Sequence, residues 1–323
     1  MIAALPRTTR PLLLGLLGLL LTGCVNIPPR TPAEPGEHPL MDRVWSARTQ
    51  AFTTFEEMQE ALARADYVLL GENHDNPVHH QLQAEIINGL QWPETAIAGF
   101  EQVDADQAPA LEAWLDAGPA GTAGLAEALD WEHSGWPDWP LYEPVFAAVL
   151  ERGWQPVDLM FPAATVRAVF SDGLDAALDA ETRQQLQPDT LFSAEQRLAM
   201  QELMADAHCG LLPAEHMAAM VQVQIARDAY MASRLASARS GERAVVITGN
   251  GHARRDWGIP RFLQRLQPDA TIVAVTMAEL EPERIKPGDY AAATPAWSDF
   301  TIFTIAHDRG DPCADIPKAA GAG

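Results

Sequence analysis

The chain is 323 residues long, carries 22 basic against 44 acidic side chains for a net charge of −22, and is 47% hydrophobic. That length and apolar content suffice for one large domain or two small ones. Acidity spread along the chain without a basic patch excludes nucleic acid and an anionic membrane surface as electrostatic partners.

Arg7 and Arg10 precede an apolar run, Pro11 to Leu21, that is too short to cross a bilayer and ends in Leu21-Thr22-Gly23-Cys24. This predicts a lipoprotein signal peptide over residues 1–23 and lipidation at Cys24. A diacylglycerol thioether and an acylated amino end, with chains of the palmitate type, anchor stably where a single chain is marginal. Cleavage removes two arginines and no acid, so the net charge moves from −22 to −24. Val25 follows the cysteine instead of an aspartate. By analogy with the sorting pattern of enteric bacteria, that points to the outer membrane, facing the periplasm.

Residues 24–45 are rich in proline, which removes backbone donors and holds the chain extended, so they are expected to form a tether. The folded body is expected over 46–308 as one domain, and the Gly-, Ala- and Pro-containing tail over 309–323 as disordered. Cys209 and Cys313 remain in an oxidising compartment where one disulfide is allowed, and nothing in the sequence brings them together.

Within the body, short apolar runs of β type alternate with helical patterns. Tyr67-Val68-Leu69-Leu70, Ile97-Ala98-Gly99-Phe100, Val157-Asp158-Leu159-Met160 and Val245-Val246-Ile247-Thr248 read as strands, with others at Ile272 to Val275 and Phe300 to Thr304. After the first, Asp75 or Asn76 can cap a helix with Pro77 in its first turn and Val78, Leu82, Ile86 and Leu90 along one face. From about 174 to 238 the strand signal gives way to amphipathic helix, broken at Gly210-Leu211-Leu212-Pro213, which predicts an inserted helical hairpin. The fold class is α/β, a mostly parallel central sheet flanked by helices.

Chemistry collects where strands stop. In open α/β sheets, loops and helix amino ends converge outside the carboxyl ends of the strands. Three strands there run into Gly71-Glu72-Asn73-His74, Glu101-Gln102-Val103-Asp104 and Gly249-Asn250-Gly251-His252. Glu72, His74, Glu101, Asn250 and His252 are therefore expected to form one catalytic or ligand pocket. Carboxylates with imidazoles suit a divalent metal, held by Glu72, His74, Glu101 and His252, or a proton relay. They also fit strand-end turns whose histidines bond nearby backbone.

Leu70-Gly71-Glu72-Asn73-His74, Gly99-Phe100-Glu101, the tryptophan-rich segment Trp131 to Tyr142, His208-Cys209-Gly210, Gln224 to Met231 and Gly249-Asn250-Gly251-His252, in that order, resemble the ChaN family. Its members are haem-binding lipoproteins of bacterial iron uptake, within the superfamily of Tiki metalloproteases, TraB-like proteins and erythromycin esterases. The resemblance implies an α/β core with a helical portion and a monomer that can dimerise, with a pair of haems stacked face to face between subunits. It also implies, for superfamily enzymes, hydrolysis through the residues that correspond to Glu72, His74, Glu101 and His252. The family haem ligand is a tyrosine: Tyr67 falls in a strand, while Tyr142, Tyr230 and Tyr290 stay open for that role, and residue-by-residue matching singles out none of them.

Met200, Met204 and His208 recur every four residues, and His216, Met217, Met220 and Gln224 follow on the next helix. Thioether and imidazole are axial ligands of haem iron and soft ligands for copper(I), and a methionine stripe also fits plain core packing. The haem-contact candidates are His208, Tyr230, Arg227, Arg254 and Arg255, the arginines as partners for propionates. No cysteine stands in a c-type attachment motif, so covalent haem is not expected. The reading is a lipid-anchored protein that binds haem or a related tetrapyrrole, with a metal-dependent esterase or peptidase as the alternative.

Overall fold

The computed structural model describes residues 38–207, 209–210, 213–239 and 242–310. The signal segment, Cys24, most of the tether, His208 and Cys313 lie outside the described residues. Cys209 is disulfide-bonded.

The strands are β1 (Val44–Ser46), β2 (Ala51–Thr53), β3 (Tyr67–Glu72), β4 (Ile97–Asp104), β5 (Gln155–Met160), β6 (Ala244–Gly249), β7 (Ile272–Glu279) and β8 (Phe300–Thr304). They form one sheet in the order β2-β1-β8-β7-β3-β6-β4-β5. From β8 to β5 all neighbours are parallel, and only β1 and β2 run antiparallel at one edge. The helices are α1 (Phe55–Leu62), α2 (Pro77–Gly89), α3 (Ala108–Asp116), α4 (Leu125–Ala128), α5 (Trp139–Glu151), α6 (Ala163–Asp172), α7 (Ala180–Leu186), α8 (Ala194–Ala207), α9 (Ala214–Ala238), α10 (Asn250–Ala253) and α11 (Ile259–Leu266).

Both faces of the sheet are covered, which is why the central strands are apolar runs without polar alternation. Val68, Leu70, Phe100, Val245 and Ile247 pack on one face against α1, α2 and α5. Tyr67, Leu69, Ile97, Ala244 and Val246 pack on the other against α6, α9 and α11. Asn76 caps α2 by accepting from the Val78 amide, and Pro77 occupies the first turn, where its missing N–H costs nothing. Between β5 and β6 the chain forms α6, α7, α8 and α9, so the expected hairpin corresponds to α8 and α9, and α7 precedes it as an additional helix.

Strand order decides where a site forms. β3 and β6 are adjacent and parallel, with Glu72 opposite Gly249, yet β3 leads to α2 on one face and β6 to α11 on the other. A crevice opens between two such carboxyl ends.

Candidate functional site

Alternation along β3 puts Leu70 on the α2–α5 side, so Glu72, two residues on, turns the same way. Its carboxylate is buried, and Oε1 accepts from Tyr142 Oη at 2.8 Å, from Gln102 Nε2 at 3.0 Å, and lies 2.9 Å from His74 Nδ1. Oε2 faces His80 Nδ1 at 3.3 Å, while His80 Nε2 donates to the His74 carbonyl at 2.9 Å. Burial alone would raise the Glu72 carboxyl, but hydrogen bonds from His74 and His80 outweigh it and hold it at about 2. The same carboxylate, with the charge of Glu101, raises His74 against the effect of burial. His74 remains partly open, with 36% of its side chain exposed.

Glu101, one residue beyond Phe100, points to the opposite face. Its Oε2 accepts from Thr248 Oγ1 at 2.6 Å and the Gly249 amide at 2.7 Å, and Oε1 lies 3.3 Å from His252 Nε2. The other ring nitrogen of His252 is 2.7 Å from Asp228 Oδ1 on α9 and 2.9 Å from Gln224 Nε2. Burial disfavours a charged imidazole, but two carboxylates outweigh it and push His252 up to about 10. Its charge in turn holds Glu101 well below the usual carboxylate range, again against burial. Burial raises Asp228 to about 6, with the nearby charge of Glu101 adding to it.

Glu72, His74, Asn250 and His252 line one cavity of about 480 Å³ in the crevice, with Gly249 on the same wall. Met200 and Met204 of α8 and Trp257 line it as well, so the methionine stripe and the polar pocket, read separately from the sequence, share one space. Gly249 leaves room for His74 in its observed position: a Cβ there would sit 2.9 Å from Nε2. Likewise a Cβ on Gly71 would sit 2.7 Å from Asn250 Oδ1. Asn250 spends its amide on Asn73 Oδ1 and the Met277 carbonyl, tying the loops after β3 and β6 together. Arg309, which composition places in the tail, bonds Asp75 and Glu279 and reaches the same cavity.

Of the haem-contact candidates, His208 lies outside the described residues, and the other four are placed elsewhere. Arg254 is buried, paired with Asp256 and sandwiched between the rings of Trp257 and Trp297 at 3.4 and 3.6 Å. Arg255 donates to Asp299 and the Ile272 carbonyl. Both arginines are therefore already matched inside the protein. Tyr230 packs edge-on against Phe161, and burial with the charge of Asp158 raises its phenol. Arg227 lines a second cavity, beside Glu101, Gln102, Trp136 and Phe161. Of the other tyrosines, Tyr142 donates to Glu72, Tyr67 donates to Gln267, and the Tyr290 hydroxyl accepts from the Glu281 amide.

The proposed four-ligand metal set does not assemble as such. Among the described residues no group of three or more His, Cys, Asp or Glu is arranged to hold a metal ion. The geometry gives the reason: both nitrogens of His252 face carboxylates, and both oxygens of Glu101 have partners. Asp228, His80, Tyr142 and Gln102 complete the site and were not singled out for it from the sequence. Asp228 carried a signal, as an acid on a helix among Ile225, Ala226 and Ala229.

Residues 58–263 match the family model described as haem-binding uptake, Tiki superfamily, ChaN. Among solved structures, the chain is similar to ChaN of Campylobacter jejuni, described as binding haem cofacially, with a TM-score of 0.64 and 21% identity over 80% of this chain and 95% of that one. An erythromycin esterase in its open conformation matches at a TM-score of 0.42 and 15% identity, over 81% of this chain and 83% of that one. No curated protein sequence matches.

Proposed function

The chain belongs to the ChaN family of haem-binding uptake proteins in the Tiki superfamily, and from that premise we propose that it takes up haem at the cell envelope for iron acquisition. In this reading lipid on Cys24 holds it to the outer membrane, facing the periplasm. Cofacial haem in the Campylobacter relative supports a homodimer in which the haems of two copies meet.

One observation carries the placement of the iron. His74 is fixed through Nδ1 by buried Glu72, and its ring lines a cavity that also presents the Met200 and Met204 side chains. A ligating histidine whose second nitrogen is bonded to a carboxylate is oriented and made more basic, and imidazole and thioether are both haem ligands. The donor set therefore fits haem iron, with His74 as its ligand. Trp136, edge-on to His74 at 4.9 Å, keeps the ring upright.

Absorption titration of the purified protein with haemin tests the reading. The expected result is a Soret shift saturating at one haem per chain, with His74→Ala weakening binding at least about tenfold, on the scale of one lost ligand. A tightly held divalent metal and no Soret response would overturn it.

The second reading, a hydrolase, draws on the same couple, since an imidazole oriented by a carboxylate is also what a general base requires. Turnover of ester or peptide substrates that is lost in Glu72→Gln would favour it.

A further inference from the structure

The second cavity, about 270 Å³, lies beside the carboxyl ends of β4 and β5 and is walled by Trp136, Phe161 and Val166. Both of its carboxylates already accept hydrogen bonds within the protein. Glu101 is bonded as described, and Asp104 Oδ1 accepts from the Asp106 and Gln107 amides. Ser134 and Gln107 are likewise bonded to backbone.

Two groups are not satisfied. Gln102 is 1% exposed. Its amide nitrogen must face Glu72, because a carboxylate only accepts, so its Oε1 is turned away and left buried without a donor. Arg227 forms no hydrogen bond or ion pair among the described residues, and its Nε is buried without an acceptor. A half-buried guanidinium left unpaired in a chain of net charge −22 is an unmatched cation where anionic partners abound.

We propose that this cavity binds a small organic carboxylate carrying a hydroxyl or amine, the carboxylate on Arg227, the donor on Gln102 and the apolar body against Trp136, Phe161 and Val166. Arg–carboxylate pairing is bidentate and charge-assisted, and the buried carbonyl of Gln102 rejects an analogue that lacks the donor. The volume suits a compound smaller than a drug-sized ligand. This site is separate from the His74 cavity and does not rest on the haem reading.

Calorimetric titration of the full-length protein with mandelate tests it, beside phenylacetate, which lacks the hydroxyl, and methyl mandelate, which lacks the charge. Mandelate is expected to bind saturably at one per chain, with each analogue and the variant Arg227→Met at least about tenfold weaker, the size of one lost charge-assisted or buried hydrogen bond. Three results would overturn the proposal: no saturable mandelate binding at millimolar concentration, binding undiminished in Arg227→Met, or loss of mandelate binding after loading with haemin. The last would mean that the carboxylate recognised here is a haem propionate.

Discussion

His74 and His252 follow the same Gly-x-x-His pattern after neighbouring parallel strands, yet they have become different chemical groups. His74 meets the carboxylate of Glu72 through one nitrogen and is over a third exposed, at 36% of its side chain. His252 is enclosed by Glu101 and Asp228, one at each nitrogen. One carboxylate orients an imidazole and leaves it a reactive edge; two convert it into a buried cation that holds β4, β6 and α9 together. Identical motifs thus divide into a ligand and a clamp according to how many acids the fold brings to each ring.

The largest effect should come from opening the clamp. Glu101→Ala removes a partner from buried His252 and strands the Thr248 hydroxyl and Gly249 amide, so a loss of about 3–5 kcal/mol is expected in urea unfolding. His74→Ala should cost only about 1 kcal/mol, because its ring is partly solvated. Equal costs for the two variants would erase the distinction.

The pH dependence sharpens it. His252 is raised from an ordinary 6.5 to about 10, so its contribution is fully present below pH 6.5 and is lost as pH rises through 10. The charged groups around it are Glu101 on β4, Asp228 on α9 and His74 beyond β3, with Gln224 as a neutral neighbour. Stability measured from pH 6.5 to 10 should therefore fall in the native protein and stay nearly flat in His252→Gln. Parallel slopes would show that His252 is not the cation.

A stability effect no larger than that of His74→Ala should come from Gly249→Ala, whose Cβ would crowd His74 Nε2 at 2.9 Å. The ring can swing aside for about 1 kcal/mol, so the fold should survive while haemin affinity falls about tenfold, the size of a disturbed ligand orientation. Undiminished haemin binding with a displaced His74 would remove that residue from the iron.

Much of this was legible along the chain. The apolar runs that became β3, β4, β5, β6, β7 and β8, the Asn76–Pro77 start of α2 and the break between α8 and α9 all follow from local stereochemistry and periodicity. So did the gathering of Glu72, Glu101 and His252 at strand ends, because a parallel sheet puts its loops at one edge. The partner of each group was not legible. Asp228 lies 24 residues before His252, and Tyr142 lies 70 after Glu72, contacts that no spacing rule connects. Arg254 and Arg255 looked free next to a motif, but Asp256, Trp257, Trp297 and Asp299 occupy them.

The sequence by itself determined the class of fold, the edge at which chemistry gathers and the residue types present there, because these depend on periods of two and 3.6 residues and on turn chemistry that act over a few positions. Tertiary structure decided which imidazole keeps a free edge, that the methionines of α8 line the same cavity, and that Arg227 stays unpaired. Those outcomes depend on strand order and on which helix covers which face, and a buried charge takes its properties from the neighbours that packing supplies.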